Sequence, residues 1–89
     1  MVRVSFTANL QRHVACPPVD VSAGTVRAVL NAAFEKYPTL REYVLDDQSA
    51  LRFHMVVFVD GAPVRDRNGL TDVVEDGVEV VVMQALSGG

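Results

Sequence analysis

The residues of this chain best suited to chemistry are the last two in the printed sequence, Gly88 and Gly89. They follow an apolar, strand-like run from Val78 to Leu86. Glycine lacks a Cβ, so a Gly-Gly tail is narrow enough to enter a confined channel. The reactive group on Gly89 would be a carboxylate, a poor electrophile because its charge repels nucleophiles and oxide is a poor leaving group. Acyl chemistry there requires prior activation, and the alternative is a frayed terminus without function.

Five other side chains are candidates for chemistry, and we interpret each of them as structural. His13 and His54 have no carboxylate or cysteine at metal-ligand spacing, so we expect no metal site. Cys16 lies beside two prolines and is interpreted as a small apolar residue rather than a relay thiol. Asp46 and Asp47 lack a positioned partner for acid–base catalysis and are interpreted as a loop or helix boundary.

Nor does the rest of the chain suggest bound nucleotide. It has no glycine-rich phosphate loop, so we expect it to bind no ATP and no other cofactor itself. The segment Arg65-Asp66-Arg67 is interpreted as a solvated turn that contributes at most to docking.

Composition restricts the class of protein. The 89 residues are enough for one domain, and 49% hydrophobic with 21% charged residues is typical of a globular chain. The formal net charge is −3 and Lys36 is the only lysine, which argues against a nucleic-acid partner. The N-terminal residues show no signal-peptide pattern, and the longest uncharged apolar run, 55–59, is too short to span a bilayer. We therefore expect a cytoplasmic protein without a membrane partner.

The first half of the sequence predicts two strands and a helix. Val2, Val4 and Phe6 alternate with polar residues, the pattern of a half-buried strand. A turn at 8–10 is followed by a second strand, 12–21, which must lie at a sheet edge because Pro17-Pro18 cannot donate to a ladder. The helix has its N-cap at Thr25 and ends before Pro38. Its apolar face consists of Val26, Val29, Leu30, Ala33 and Phe34.

The second half predicts more strands. A short helical turn and loop at 39–49 leads to a third strand, 51–59, and Asp60-Gly61 turns the chain into a fourth, 62–64. A helical turn is expected at 70–74 and the last strand at 78–85. A single helix must then cover one face of a mixed sheet, which is an α+β sandwich of four to five strands on one main helix.

This order of elements, leading into Gly-Gly, resembles the ubiquitin-like β-grasp sulfur carriers. That family includes the small subunit of molybdopterin synthase, the thiamine-pathway carrier and the carrier that feeds cysteine synthesis. The middle segments 41–47 and 51–54 look more like the cysteine-type carriers than like the shorter thiamine-pathway carrier. The motifs that carry the resemblance are Ala23-Gly24-Thr25-Val26-Arg27, Val57-Phe58-Val59-Asp60-Gly61, Asp76-Gly77-Val78-Glu79-Val80 and Ala85-Leu86-Ser87-Gly88-Gly89.

The resemblance implies a β-grasp domain at 1–86 and a flexible tail at 87–89. It further implies that an E1-like enzyme uses ATP to adenylate the Gly89 carboxylate and that a sulfurtransferase or persulfide donor converts it to a thiocarboxylate. A sulfur-accepting synthase would then consume the sulfur. Gly88 and Ser87 would provide reach and Leu86 would anchor the tail at the channel mouth. The chain itself would be a covalent substrate of these partners and not an enzyme.

Strand alternation predicts which sheet face meets a partner. Val56 and Phe58 on the third strand, with Val81 and Met83 on the last, should form an exposed apolar patch on the face without a helix. The alternative is that the segment 39–49 covers this face. The residues expected in the core are Phe53, Met55, Val57 and Val59 on the third strand and Val78, Val80 and Val82 on the last.

Two further functions stay open at this point. The first is a protein modifier joined through Gly89 to target lysines, which would share the adenylation step. The second is a permanent, non-catalytic subunit whose tail fills a partner's active site, as in a molybdopterin-synthase-like complex. The final sulfur acceptor is not specified by the residues.

Overall fold

The computed structural model describes residues 1–84, and within them it contains seven strands and three helices. The predicted boundary between domain and tail lies outside these residues. The strands are β1 (Val2–Phe6), β2 (Val19–Val21), β3 (Gly24–Thr25), β4 (Met55–Val59), β5 (Ala62–Pro63), β6 (Val73–Val74) and β7 (Glu79–Gln84). The helices are α1 (Ala8–Gln11), α2 (Val26–Lys36) and α3 (Leu40–Val44).

The main sheet is mixed and has five strands in the order β2-β1-β7-β4-β5. The central strand, β7, runs parallel to its neighbour β1, and every other neighbouring pair is antiparallel. A second sheet of two strands pairs β3 with β6. The expected α+β arrangement is confirmed, and β2 lies at the edge where the two prolines require it to be.

Helix α2 covers one face of the main sheet. The Thr25 hydroxyl accepts a hydrogen bond from the Ala28 amide at 3.2 Å and so caps the helix start, as predicted. The chain leaves the helix at Tyr37, directly before Pro38. The side chains that the 3.6-residue period assigned to the apolar face are all buried: Val26, Val29, Leu30, Ala33 and Phe34.

The core lies between this helix and the sheet. Val80 and Val82 of β7 are fully buried beside Val57 of β4, while Glu79 is exposed, so the predicted parity of the last strand is confirmed. Leu40 and Val44 of α3 belong to the same cluster. No helix within residues 1–84 combines the length and the apolar composition needed to span a bilayer.

Two predicted strands are shorter than expected. The second strand covers only Val19–Val21 rather than 12–21, because Pro17 and Pro18 lack the amide protons that pairing needs. The third begins at Met55 rather than at Leu51, which makes a single bridge to Leu45 before the chain turns at 53–54.

Two predicted turns have a different structure. Residues 8–10 belong to helix α1, which buries Leu10 against the core. The helical turn expected at 70–74 is wrong, because Val73 and Val74 form β6 and pair with Thr25 and Gly24. Valine is β-branched and favours a strand, and pairing with β3 stabilises this conformation.

Candidate functional site

Strand β7 leads to the segment that carries the proposed chemistry. It lies between β1 and β4, and its last described residue, Gln84, pairs with Met55, the first residue of β4. The chain therefore passes into residues 85–89 beside the start of β4. The predicted site residues of the tail, Leu86, Ser87, Gly88 and Gly89, lie outside the described residues.

The four residues of the predicted partner face form one contiguous group, here called the outer patch. Val56 pairs directly with Met83, and Phe58 pairs with Val81, so the four side chains share one face of two neighbouring strands. Each is half-buried rather than fully exposed. None belongs to the core cluster or to the side chains packed against it. The alternation thus placed these residues correctly on the face opposite α2.

Segment 39–49 packs toward the core. Its helix α3 buries Leu40 and Val44 completely, and both are members of the core cluster that excludes the outer patch. The structure therefore favours an outer patch that remains partly accessible over one that this segment covers.

The other half of the same face is polar. On β1, Arg3 donates from Nε to Asp20 at 3.2 Å, and Ser5 donates to Glu79 at 2.9 Å. Since Arg3 pairs with Glu79 and Ser5 with Val81 in the parallel ladder, polar and apolar halves meet along β7. An apolar area bordered by charged pairs is the usual composition of a protein-binding surface.

Phe53 differs most from its predicted position. The alternation assigned it to the core, but its side chain is 98% exposed. It lies in a turn that precedes β4, where the Met55 amide donates to the Arg52 carbonyl at 3.0 Å. Side chains alternate between the two faces only within a strand, and the turn lies before the strand begins. The prediction that Phe53 faces the core because Met55 does is therefore wrong.

Arg67 holds this turn in place. Its Nη2 donates to the carbonyl oxygens of Arg52 at 2.8 Å and Met55 at 2.7 Å, with a longer contact to that of Phe53 at 3.5 Å. Its own carbonyl accepts from the Leu51 amide at 2.9 Å. The interpretation of 65–67 as a solvated turn is therefore wrong for Arg67, which joins two loops.

A family model described as the ThiS family matches residues 8–89 of this sequence. The chain belongs to the ThiS family. Among curated proteins, the sulfur carrier protein CysO of Mycobacterium tuberculosis is 30% identical over 99% of this chain and 98% of that protein.

Solved structures agree on the fold of this ThiS-family chain. SAMP1 from Haloferax volcanii matches with a TM-score of 0.79 and 27% identity, over 99% of this chain and 98% of that one. A chain from the crystal structure of the Amycolatopsis orientalis BexX/CysO complex matches with a TM-score of 0.84 over 100% of both chains. At 23% identity the latter shows the fold alone. The ubiquitin-like β-grasp fold is thereby confirmed.

The remaining polar candidates in this ThiS-family domain have structural positions. Cys16 is buried, and loss of solvent raises the pKa of its thiol, which makes the nucleophilic thiolate scarcer. Asp46 accepts from the amides of Gln48 at 2.9 Å and Ala50 at 3.0 Å and so shapes its own loop. His13 stacks on Tyr43 with ring centroids 5.4 Å apart. Within residues 1–84, no three His, Cys, Asp or Glu side chains lie together as metal ligands.

Sequence reasoning missed the exposure of Phe53 and the hydrogen bonds by which Arg67 holds the turn beside it. One signal was available for Phe53: it lies between Arg52 and His54, whereas the β-branched and apolar run that favours a strand begins only at Met55. No signal connected Arg67 to this turn, because the contact joins residues that are far apart in the chain.

Proposed function

We propose that this ThiS-family chain is a sulfur carrier that is charged at Gly89 by an E1-like adenylating enzyme. The observation that carries the proposal is the family match over residues 8–89, which includes the Gly88-Gly89 tail. A curated relative with 30% identity is named a sulfur carrier protein. The chain is then a substrate of its partners and not a catalyst.

The chemistry proceeds in two stages. A Gly89 carboxylate oxygen attacks the α-phosphate of ATP held by the adenylating enzyme, pyrophosphate leaves, and an acyl-adenylate forms. Hydrosulfide can then displace AMP and leave the thiocarboxylate directly. A sulfurtransferase persulfide gives an acyl disulfide instead, whose S–S bond a thiol cleaves to release the same thiocarboxylate. Its sulfur is a soft nucleophile that a sulfur-accepting synthase can use.

The tail and the outer patch have separate roles in this proposal. Gly88 and Ser87 extend Gly89 into the enzyme without side-chain bulk at Gly88, and Leu86 contacts the channel mouth. Val56, Phe58, Val81 and Met83 provide an apolar face for the successive partners, and the Val56–Met83 pair lies at the end of the sheet where the tail begins. Methionine adapts to differently shaped partners because its side chain is flexible.

For the sulfur acceptor, we propose a pathway of the cysteine-synthesis type. The support is the likeness of segments 41–47 and 51–54 to the cysteine-type carriers, together with the CysO relative of nearly equal length. Molybdopterin and other sulfur-containing metabolites are the competing acceptors, and the identity of the synthase that consumes the thiocarboxylate decides between them.

The test is the intact mass of the protein after incubation with ATP, sulfide and the adenylating enzyme of its own organism. We expect a mass gain equal to the replacement of one oxygen by sulfur, and no gain in a matched variant that lacks Gly89. A wild-type chain whose mass does not change, while the enzyme charges a second carrier in the same assay, would contradict the proposal.

A second candidate is a protein modifier that forms isopeptide bonds through Gly89. The observation in its favour is the structural match to SAMP1 of Haloferax volcanii, which is named small archaeal modifier protein 1. Adenylation is common to both functions, so the mass experiment does not separate them. Mass spectrometry of digested cell lysate does: peptides in which Gly89 is linked to a lysine ε-amine would support the modifier.

A further inference from the structure

Phe53 is the most exposed large apolar side chain among residues 1–84. It is 98% exposed, compared with 72% for Val73, 65% for Met1 and 39% for Tyr43. A fully solvated phenyl ring gains nothing from folding, and its transfer into an apolar site would be strongly favourable.

The ring is presented from a fixed turn. The hydrogen bond from the Met55 amide to the Arg52 carbonyl closes the turn at 3.0 Å. Arg67 then donates to both ends of it, at 2.8 Å to Arg52 and 2.7 Å to Met55. A side chain on a preorganised backbone loses less conformational entropy on binding than one on a mobile loop.

The turn lies beside Gln84, the last described residue of β7. Met55, two residues after Phe53, is the partner of Gln84, and residues 85–89 follow Gln84. Five extended residues span at most about 17 Å. Any enzyme that takes Gly89 into its active site must therefore come within that distance of Gln84, and Phe53, two residues from the partner of Gln84, lies within the same distance.

We propose that Phe53 is an aromatic anchor that inserts into an apolar pocket beside the tail entrance of the adenylating enzyme. The proposal rests on the proposed function, because it assigns the partner as the enzyme that activates Gly89. The outer patch ends at the same end of the sheet, with Val56 and Met83. The anchor thus fixes the end of the sheet from which the tail extends, and this orients the terminal carboxylate toward the nucleotide.

The first experiment measures ATP–pyrophosphate exchange by the adenylating enzyme as a function of carrier concentration. Phe53→Ala should raise KM for the carrier by about tenfold or more with little change in kcat, as loss of an anchor residue does. Phe53→Trp, which keeps an aromatic ring, should restore most of the affinity. The matched control is Val73→Ala, an exposed apolar residue in the two-stranded sheet, with KM within about twofold of wild type.

An unchanged KM for Phe53→Ala, or a fall in kcat alone, would overturn the anchor while leaving the sulfur-carrier proposal intact. A wild-type carrier that supports no exchange would instead count against the proposed function. Two other partners for Phe53 are a second copy of this chain and its own Leu86. If wild-type protein sediments as a dimer and Phe53→Ala dissociates it, the ring belongs to the interface between two copies. If Leu86→Ala raises KM as much as Phe53→Ala does, and the double variant raises it no further, the ring acts with Leu86. Either result would overturn the proposal.

A second experiment tests contact without requiring catalysis. Benzoyl-phenylalanine in place of Phe53 should form a photo-crosslink to the purified adenylating enzyme in the absence of ATP. The same probe in place of Val73 should form none. If position 53 gives no crosslink above the level at position 73, the anchor is wrong even where wild-type exchange is normal.

Discussion

Two loops of this domain are built in the same way and expose their apolar residues differently. The Phe53 turn (52–55) and the Asp66 loop (65–72) are each held by one charged side chain that is hydrogen-bonded to several backbone groups. In the first, Arg67 donates to carbonyl oxygens and Phe53 is 98% exposed. In the second, Asp66 accepts from backbone amides and Leu70 is fully buried.

The Asp66 loop is the more constrained of the two. The Asp66 carboxylate accepts from the Thr71 hydroxyl at 2.7 Å and from the amide of Gly69 at 2.8 Å. Leu70 lies between them with φ of 54°, a left-handed conformation that costs a leucine about 1 kcal/mol or more. Its amide donates to the Asp66 carbonyl and its carbonyl accepts from the Arg27 amide, each at 3.0 Å.

The difference in the exposure of Leu70 and Phe53 assigns the Asp66 loop to stability and the Phe53 turn to recognition. A strained leucine persists only where its burial and its backbone hydrogen bonds outweigh the strain, so the Asp66 loop contributes to the core. The Phe53 turn is also held by several hydrogen bonds, but its phenyl ring is almost fully exposed and is not buried against residues 1–84. Rigid presentation of an unburied aromatic ring is useful for binding and not for folding.

Leu70→Ala should give the largest effect on stability. Removal of a fully buried leucine side chain typically lowers the free energy of unfolding by about 2–5 kcal/mol. The left-handed backbone stays strained because alanine also has a Cβ. Urea unfolding followed by circular dichroism measures the change.

The matched control in the other loop is Phe53→Ala, which should change the free energy of unfolding by less than about 0.5 kcal/mol. Comparable losses for the two variants would show that Phe53 packs on the domain in solution, and the comparison between the loops would then fail.

This contrast also explains how far the sequence could predict the structure. Periodicity predicted the buried face of α2 and the two faces of β7, since both depend only on local geometry. Periodicity failed at Phe53, because a turn interrupts the strand there. The helical turn expected at 70–74 was wrong because β6 forms through its pairing with β3, which is distant in the chain. For the site, alternation found the outer patch, whereas the contact between Arg67 and Met55 is a tertiary interaction without a local pattern.

Arg67→Met should have an intermediate effect. The substitution keeps an unbranched chain but removes the Arg67 hydrogen bonds to the carbonyl oxygens of Arg52 and Met55; the Arg52 carbonyl still accepts from the Met55 amide. The loss should cost about 1–3 kcal/mol. The amides of the Phe53 turn should also exchange with solvent faster than in wild type. Hydrogen exchange followed by NMR measures this local opening.

Arg67→Lys tests whether charge or geometry is responsible. Arg67 makes these contacts through the N–H groups of one nitrogen, Nη2, which the planar guanidinium holds in fixed directions, whereas an ammonium group presents three rotatable donors on a flexible stem. We therefore expect most of the loss to remain. Full stability in the lysine variant would mean that charge alone holds the turn. Wild-type exchange rates in Arg67→Met at the amides of Arg52 and Met55, which donate to the carbonyls of Val44 and Arg52, would show that the turn is rigid without this side chain.

The smallest effect concerns acid stability. Hydrogen bonds from the Thr71 hydroxyl and then the Gly69 amide lower the pKa of Asp66 to about 2. An unfolded aspartate titrates near about 3.9. A carboxyl group with a depressed folded pKa stabilises the protein fully above its unfolded pKa, and that contribution is lost as pH falls toward the folded value. Stability should therefore fall between about pH 4 and about pH 2.

Asp66→Asn should flatten this part of the pH profile when unfolding by urea is measured at a series of pH values. A remaining slope is expected from Asp72, whose pKa is lowered by hydrogen bonds from the amides of Arg65 and Asp66. Asp47→Asn, in an exposed position, is the control that removes one carboxylate without touching the loop. If Asp66→Asn and Asp47→Asn change the slope equally, the acid sensitivity comes from net charge, and the Asp66 loop is not its source.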